Sequence, residues 1–492
     1  MNTVKLTGHI FSSTLVLIAL SSSMQGWAQS EKRPPRGPAR DKQTNTFRTD
    51  IPVRQFDLVL TRPTDKSVAI SVLAYKDLEG YVAYGVSKGS YGSETPKRAM
   101  KSGEPVEVVI GALKPNTRYF YQFKSRKSAP DEFANSPEYT FVTQRRPSSE
   151  FTFTITADSH LDDRSSPDLY SRTLTDALTD APDFHIDLGD TFMTDKHPDR
   201  ESAAKQYLAQ RYYFGLIGHS SPVFLVLGNH DGETARELDG GADSLGVWSN
   251  LMRKRYFPNP IPDGFYTGNG TKHEYAAVLQ DYYSWKWGDA QFIVLDPYWF
   301  TPKMRGEDDN WKRTLGSEQY QWLKRTLESS NAKFKFVFIH HLVGGSGKDA
   351  RGGVEAVGLY EWGGTNTDGS DAFKEKRTEW SAPIHKLLVN NHVSVVFHGH
   401  DHLFAKQQLD GIIYQEVPQP GFDGRDRPDV GAEYGYKSGE ILGGSGYMRV
   451  RVSPTNAKVD YVRVSLPSTE QRSSNSGTVV CSYIVSPSVS SK

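Results

Sequence analysis

The sequence predicts an α/β domain built from two packed β-sheets flanked by helices, preceded by an all-β sandwich. Three observations carry that prediction. From Phe151 onward, apolar strand-like runs alternate with helical patterns. Five of those runs stop abruptly at Asp, Asn or His. Before them, from Ile51 to Arg146, short alternating runs are separated by Gly and Pro turn signals. At 492 residues the chain suits two or three domains, and 37% hydrophobic with 12% aromatic residues supports a sizeable core. Lys+Arg and Asp+Glu both number 58, so no overall charge points to a nucleic-acid duplex or an anionic membrane surface.

The N-terminus reads as an export signal over residues 1–28. Lys5 supplies the positive start, Ile10 to Leu20 a short apolar stretch, and Gly26-Trp27-Ala28 the small residues before a cleavage site. The apolar stretch is too short to span a membrane, so no stable insertion is expected after cleavage. Export, periplasmic or extracellular in a bacterium, is the expected destination. Cys481 is the only cysteine, which excludes an intramolecular disulfide and leaves it inert and unpaired. Residues 29–50 are basic and proline-bearing without periodicity, which predicts a disordered linker.

The sandwich spans residues 51–146, with strands such as Ser67 to Leu73, Gly80 to Gly85, Pro105 to Ile110 and Arg118 to Phe123. The α/β domain spans residues 150–465. Helices are expected over Asp168 to Leu178 and Arg200 to Ile217, and from Ser317, a capping-box-like start that places Tyr320, Leu323 and Leu327 on one face. Gln291 to Asp296 reads as another buried strand, and Gly446 to Val452 with Ala457 to Val464 as a closing hairpin. Residues 232–286 and 344–369 read as long irregular loops rich in Gly and aromatics, suited either to shaping a pocket or to covering a sheet edge. The tail, 466–492, is expected to be flexible, with an edge strand possible over Thr478 to Val485.

The strand ends carry the chemistry. Phe151 to Ala157 runs into Asp158-Ser-His160, Pro182 to Gly189 into Asp190, and Pro222 to Gly228 into Asn229-His230-Asp231. Phe334 to Ile339 runs into His340-His341, and Val393 to Phe397 into His398-Gly-His400-Asp401-His402. In open α/β sheets ligands sit beyond the carboxyl ends of the strands. Carboxylate, amide and imidazole groups gathered there suit borderline transition ions such as Fe, Zn or Mn. The expected chemistry is metal-assisted hydrolysis. Each residue has a plainer alternative: Asp158 and Asp190 as turn or N-cap residues, Asn229 as a turn former, His230 as a structural hydrogen-bonding group. His185, within an apolar run, reads as a satisfied core histidine.

In this order the motifs Asp158-x-His160, Gly189-Asp190, Gly228-Asn229-His230-Asp231, His340 and Gly399-His400-x-His402 resemble the signature of calcineurin-like metallophosphoesterases. The segment in front resembles the N-terminal domain of purple acid phosphatases: Leu113 to Tyr119 and Tyr139 to Thr143 are similar to the last strands of fibronectin type III domains, with Tyr119 at a tyrosine-corner position. The resemblance implies two transition-metal ions. Asp158, His160, Asp190 and His402 would hold one; Asp190, Asn229, His340 and His400 the other. It further implies attack by a metal-bridging hydroxide on a phosphoester, with His230 as general acid and Asp231 as its orienting partner. Only one of His340 and His341 should be a ligand; the strand-end alignment favours His340, leaving His341 behind the ligands or facing substrate. His398 is assigned a hydrogen bond beneath the site.

The chain departs from this pattern at three places. Leu342 stands where the family often has proline. Thr191-Phe-Met193 stands where purple acid phosphatases carry a tyrosine, and those enzymes lack a counterpart of His160, so neither a phenolate ligand nor a purple colour is expected. The expected function is an exported phosphatase acting on small phosphomonoesters. A phosphodiesterase for cyclic nucleotides, glycerophosphodiesters or phospholipids would use the same ligands. A different class, a cell-surface binding protein with an inactive metal domain, would have been favoured by loss of any ligand. The substrate and oligomeric state are not specified.

Overall fold

The computed structural model describes residues 46–235, 238–239, 241–302, 310–347, 349–422, 429–467 and 477–488. The export signal, most of the predicted linker and residues 468–476 of the tail lie outside them. Among the described residues no helix is long and apolar enough to cross a membrane.

Two sheets pack face to face. In the first, the strands run in the order Val223–Leu225, Phe184–Asp187, Phe151–Thr156, Gly446–Val452, Ala457–Arg463, Thr478–Val485. Its first three strands are parallel, with Phe153 opposite Phe184 and Ile186 opposite Phe224. The hairpin Gly446–Arg463 closes it antiparallel, Ile155 opposite Met448, and Thr478–Val485 adds an edge strand. In the second sheet Ala290–Val294, Phe334–Phe338, Val395–His398 and Ile412–Glu416 are parallel neighbours. Parallel strands buried on both faces favour apolar runs, and these segments are mostly apolar, with Gln291, Lys335, Gln415 and Glu416 as exceptions. Aromatic side chains fill the space between the sheets: Phe153 meets Phe292 edge-on at 5.1 Å, and Phe224 stacks on Trp285 at 4.2 Å. His185 is buried on the opposite, helix-covered face beside Phe214, with both ring nitrogens paired, to Thr154 and Thr156.

The flanking helices start where their caps dictate. Ser166 caps Pro167–Thr179 through the Leu169 N–H, and Asp199 caps Arg200–Gly218 through the Ser202 N–H. The helix expected from Ser317 does occupy Ser317–Glu328, but Ser317 is its first helical residue; Gly316, at φ +78°, precedes it without a side-chain cap. A second difference lies in residues 232–286, read as loop. They contain the helix Leu245–Tyr256, capped by Ser244. It carries a fully buried Arg253 that pairs with Glu233 at 2.5 Å.

The N-terminal segment folds as two sheets, one of Phe56–Thr61, Val68–Ala74 and Pro105–Ile110, the other centred on Leu78–Gly85 and Arg118–Arg126. Its back is joined to helix Arg200–Gly218. Val59 and Leu73 pack with Phe192, Tyr207 and Phe214. The buried Arg211 guanidinium donates to the carbonyls of Ser71 (2.9 Å) and Tyr256 (2.8 Å). Arg211→Ala strands those carbonyls in a dry interface and opens a cavity, so a loss of about 3 kcal/mol of stability is expected. Denaturant unfolding measures it; a loss under about 1 kcal/mol would show the interface to be wet or slack. Residues 47 and 48, within the linker expected up to residue 50, already meet the α/β domain: Phe47 stacks on His197 at 3.9 Å and the Arg48 N–H donates to the Leu161 carbonyl.

Candidate metal centre

The five expected strand ends converge on one edge, and tight backbone turns aim their side chains. Asp158, His160, Asp190, His400 and His402 all have positive φ, between 49° and 81°. Left-handed backbone costs a non-glycine residue on the order of 1–3 kcal/mol and collects at functional sites. The motif glycines let these turns touch. A Cβ on Gly228 would lie 2.0 Å from the Asp190 nitrogen, and one on Gly399 would lie 2.6 Å from Asp158 Oδ2.

Two ligand clusters result, one of Asp158, His160 and His402, the other of Asp190, His340 and His400. Within the first, Asp158 Oδ1 lies 3.4 Å from His402 Nε2 and 3.8 Å from His160 Nε2. Asp190 belongs to both by position: its Oδ2 is 3.4 Å from His340 Nε2 and 3.6 Å from His160 Nε2. Asn229 Oδ1 joins the second cluster, 3.1 Å from His340 Nε2. The rings are turned by hydrogen bonds on their far nitrogens. His340 Nδ1 donates to the Leu188 carbonyl (2.8 Å), leaving Nε2 toward the site. His400 Nε2 donates to the Asp349 carbonyl (2.7 Å), leaving Nδ1. Such bonds fix the tautomer a ligand needs.

This donor set fits metal ions. Asp158 Oδ1 and His160 Nε2 are buried and meet no hydrogen-bond partner within the protein. Buried polar atoms without a partner are costly, and a cation satisfies both at once. Charge points the same way. Burial opposes ionisation of Asp158, yet the His340 and His402 rings hold its carboxyl well below the usual range. Burial likewise opposes protonation of His340, yet Asp190 and Asp158 raise it to about 9. The two carboxylates therefore draw positive charge, proton or metal, to the same ring nitrogens.

His230 stands beside this centre. Its ring is 6.5 Å from that of His160 and 22% exposed, whereas His340 is fully buried, so His230 marks the open side. Its orienting partner is a correction to the sequence reading. Asp231 does not face His230: its carboxylate accepts from the backbone N–H groups of Gly228, Asp190, Thr191 and Phe192 and so fixes the turn that carries Asp190. Asp195 takes the expected place, with both oxygens 3.0–3.1 Å from His230 Nδ1. Asp195 lies on a short 3₁₀ turn, Thr194–Lys196, entered through the left-handed Met193. Acidic side chains at 162 and 195 were the available signals, but nothing in their spacing said which way they turn. Asp162 sits 3.4 Å from His160 Nδ1.

The remaining histidines lie underneath. His398 Nδ1 is 2.5 Å from Glu416 Oε2, across paired strands. His341 is buried against Tyr298 and His400, with Nδ1 donating to the Leu342 carbonyl. Burial first, then His400, holds its ring neutral. Leu342, in the position where proline was expected, packs in the core of the helical flank.

The calcineurin-like phosphoesterase family model matches residues 151–404, more than half of the chain. The chain belongs to the calcineurin-like phosphoesterase family. As a family member it is a metal-dependent phosphoesterase. Solved structures support the fold. A structure of PhoD matches at 15% identity with a TM-score of 0.62, covering 90% of this chain and 94% of that one. Purple acid phosphatase PPD1 from yellow lupin (Lupinus luteus) seeds matches at 15% identity with a TM-score of 0.57, covering 87% and 74%. Curated protein sequences include no match.

Proposed function

We propose that this phosphoesterase is an exported phosphomonoester hydrolase with a dinuclear centre. The observation that carries the reading is the pair of ligand clusters sharing Asp190, with His230 on their open side. Asp158, His160, Asp190 and His402 would hold one ion, and Asp190, Asn229, His340 and His400 the other. When bound, the ions supply Lewis-acid stabilisation of phosphoryl charge and acidify a water for attack. The chain's own contribution is positional. Asp190 spans the clusters and its Oδ1 accepts from the His230 backbone N–H at 2.8 Å, while Asp195 holds the His230 ring. With Nδ1 committed to Asp195, His230 presents Nε2–H to the leaving oxygen. The absence of tyrosine at Thr191 to Met193 argues for Fe, Zn or Mn without a phenolate ligand.

The N-terminal two-sheet segment is read as fibronectin type III-like, because the Lys114 N–H donates to the Tyr119 hydroxyl at 2.8 Å in the manner of a tyrosine corner. It holds no ligand of the centre, and its role is support. Export rests on the N-terminal signal pattern from Lys5 to Ala28.

The test is a panel of phosphomonoesters and diesters assayed on protein of measured metal content. Close to two transition-metal ions per chain and a kcat/KM favouring monoesters are expected. Active protein holding a single ion would remove the dinuclear reading, and a preference for diesters would replace the monoesterase with a phosphodiesterase.

A further inference from the structure

Helix Arg200–Gly218 carries two fully buried glutamines one turn apart, Gln206 and Gln210. Neither is assigned as a ligand, yet both reach the ligand turns. Gln206 Nε2 donates to the carbonyls of His160 (2.6 Å) and Thr191 (2.9 Å). Gln210 Nε2 donates to the same Thr191 carbonyl (2.8 Å) and to Ser159 Oγ (2.9 Å). A carbonyl only accepts, so two of them on one side place the Gln206 nitrogen there and turn its oxygen to His197 Nε2, at 2.7 Å. Phe47 stacks on that imidazole at 3.9 Å, and the next residue, Arg48, donates its backbone N–H to the Leu161 carbonyl (2.6 Å). The segment leading into the N-terminal sheets thus lies against the turn that carries His160.

That turn needs holding. Asp158, His160 and Leu161 all have positive φ, as does Asp190 beside Thr191. Left-handed backbone persists only where its surroundings over-determine it. Two direct bonds join the turns, from the Asp158 N–H to the Gly189 carbonyl (2.9 Å) and from the His160 N–H to the Asp190 carbonyl (3.1 Å). Gln206 closes the same two turns from the helix side. One amide nitrogen across two carbonyls fixes their separation, which two independent donors would not. His340 and His400 follow strands of the other sheet, outside the reach of these bonds.

Resting on the dinuclear reading, we propose that Gln206 is a positioning residue for the first ion: it clips the His160 turn to the Asp190 turn, and Phe47, through His197, holds the clip in place. Loss of the clip lets His160 drift from Asp158 and His402. Asp190 stays tied through Asp231, which accepts from its N–H and that of Thr191, so the second cluster keeps its geometry.

The experiment sets the metal-loaded protein, of verified ion content, against a chelator and counts the ions left per chain. Gln206→Leu should hold one ion about 10–100-fold more weakly than wild type and the other unchanged, as loss of an outer-shell partner commonly does. His402→Ala, which removes a ligand of the first cluster, identifies that ion: adding Gln206→Leu to it should weaken the remaining ion no further. Phe47→Ala, a change at the half-buried edge of the structure, should weaken the same ion by a smaller factor, and should add nothing once Gln206 is leucine. Arg211→Ala is the control, because it lies on the same helix and costs stability at the contact with the N-terminal sheets; it should hold both ions as wild type does. Equal weakening of both ions in Gln206→Leu, or none, overturns the clip, and so does a weakened ion in Arg211→Ala, which would make the effect one of general stability. An unchanged Phe47→Ala overturns the link to Phe47, and it decides alone should Gln206→Leu fail to fold. If wild-type protein holds a single ion, the dinuclear reading fails; if it holds two and Gln206→Leu keeps both as tightly, only the clip fails.

Discussion

Asp190→Ala is expected to lose both metal ions and to lower phosphoester hydrolysis by at least ~10³-fold, a loss matching the several kcal/mol that metal ions contribute to phosphoryl-transfer transition states. The expectation follows from position. A single carboxylate oxygen, Asp190 Oδ2, lies between His340 Nε2 at 3.4 Å and His160 Nε2 at 3.6 Å. Asp158 Oδ1 also reaches both clusters but less closely, at 3.4 Å from His402 and 3.8 Å from both His160 and His340. Removing Asp190 also frees the His230 N–H, which its Oδ1 accepts, and leaves His340 without its nearest carboxylate. Asn229→Ala should be milder, because Asn229 contributes to the second cluster alone, and loss of one ion per chain is its expected signature. Elemental analysis of both variants, with circular dichroism to verify folding, makes the comparison. An Asp190→Ala protein that folds and keeps one tightly held ion would place Asp190 in one cluster only.

How much of this was legible beforehand follows from which interactions a sequence encodes locally. The strand ends were readable because parallel strands buried on both faces favour apolar runs, and a polar residue ending such a run has nowhere to go except the sheet edge. Every candidate ligand came from such an end. Helix Leu245–Tyr256 was not readable, because its buried face includes Arg253, whose charge is cancelled by Glu233 twenty residues earlier in the chain. That ion pair exists only after folding. Asp231 was misplaced for a related reason. Adjacency to His230 suggested partnership, but consecutive residues in a tight turn project apart, and four backbone N–H groups claim its carboxylate. Backbone donors leave no trace in residue identity. Asp195 became His230's partner through a 3₁₀ turn whose left-handed entry at Met193 no residue-type preference announces. The sandwich was legible as strands, but not its attachment through Arg211, whose carbonyl partners Ser71 and Tyr256 meet it only after folding.

His230→Ala should leave both ions bound and lower kcat by ~10²–10⁴-fold, the usual contribution of a general acid. Its ring belongs to neither ligand cluster, and it faces the open side, so metal content should not change. The loss should be largest for alkyl phosphates, whose leaving alkoxide needs a proton. It should shrink for p-nitrophenyl phosphate, whose leaving group departs with little protonation. Asp195 supplies an internal comparison. It touches the imidazole through Nδ1 and not the reacting atoms, so Asp195→Ala should misorient the ring and cost about 10–100-fold, as outer-shell partners commonly do. Because it acts through His230, its loss should follow the same leaving-group trend and nearly vanish when His230 is already alanine. Asp231→Ala should behave differently: it unties the backbone of the Asp190 turn, so stability and metal occupancy should fall together on every substrate. Equal losses on alkyl and p-nitrophenyl esters, or loss of metal from His230→Ala, would take proton delivery away from His230. Additive losses in the double variant would take the orienting role away from Asp195.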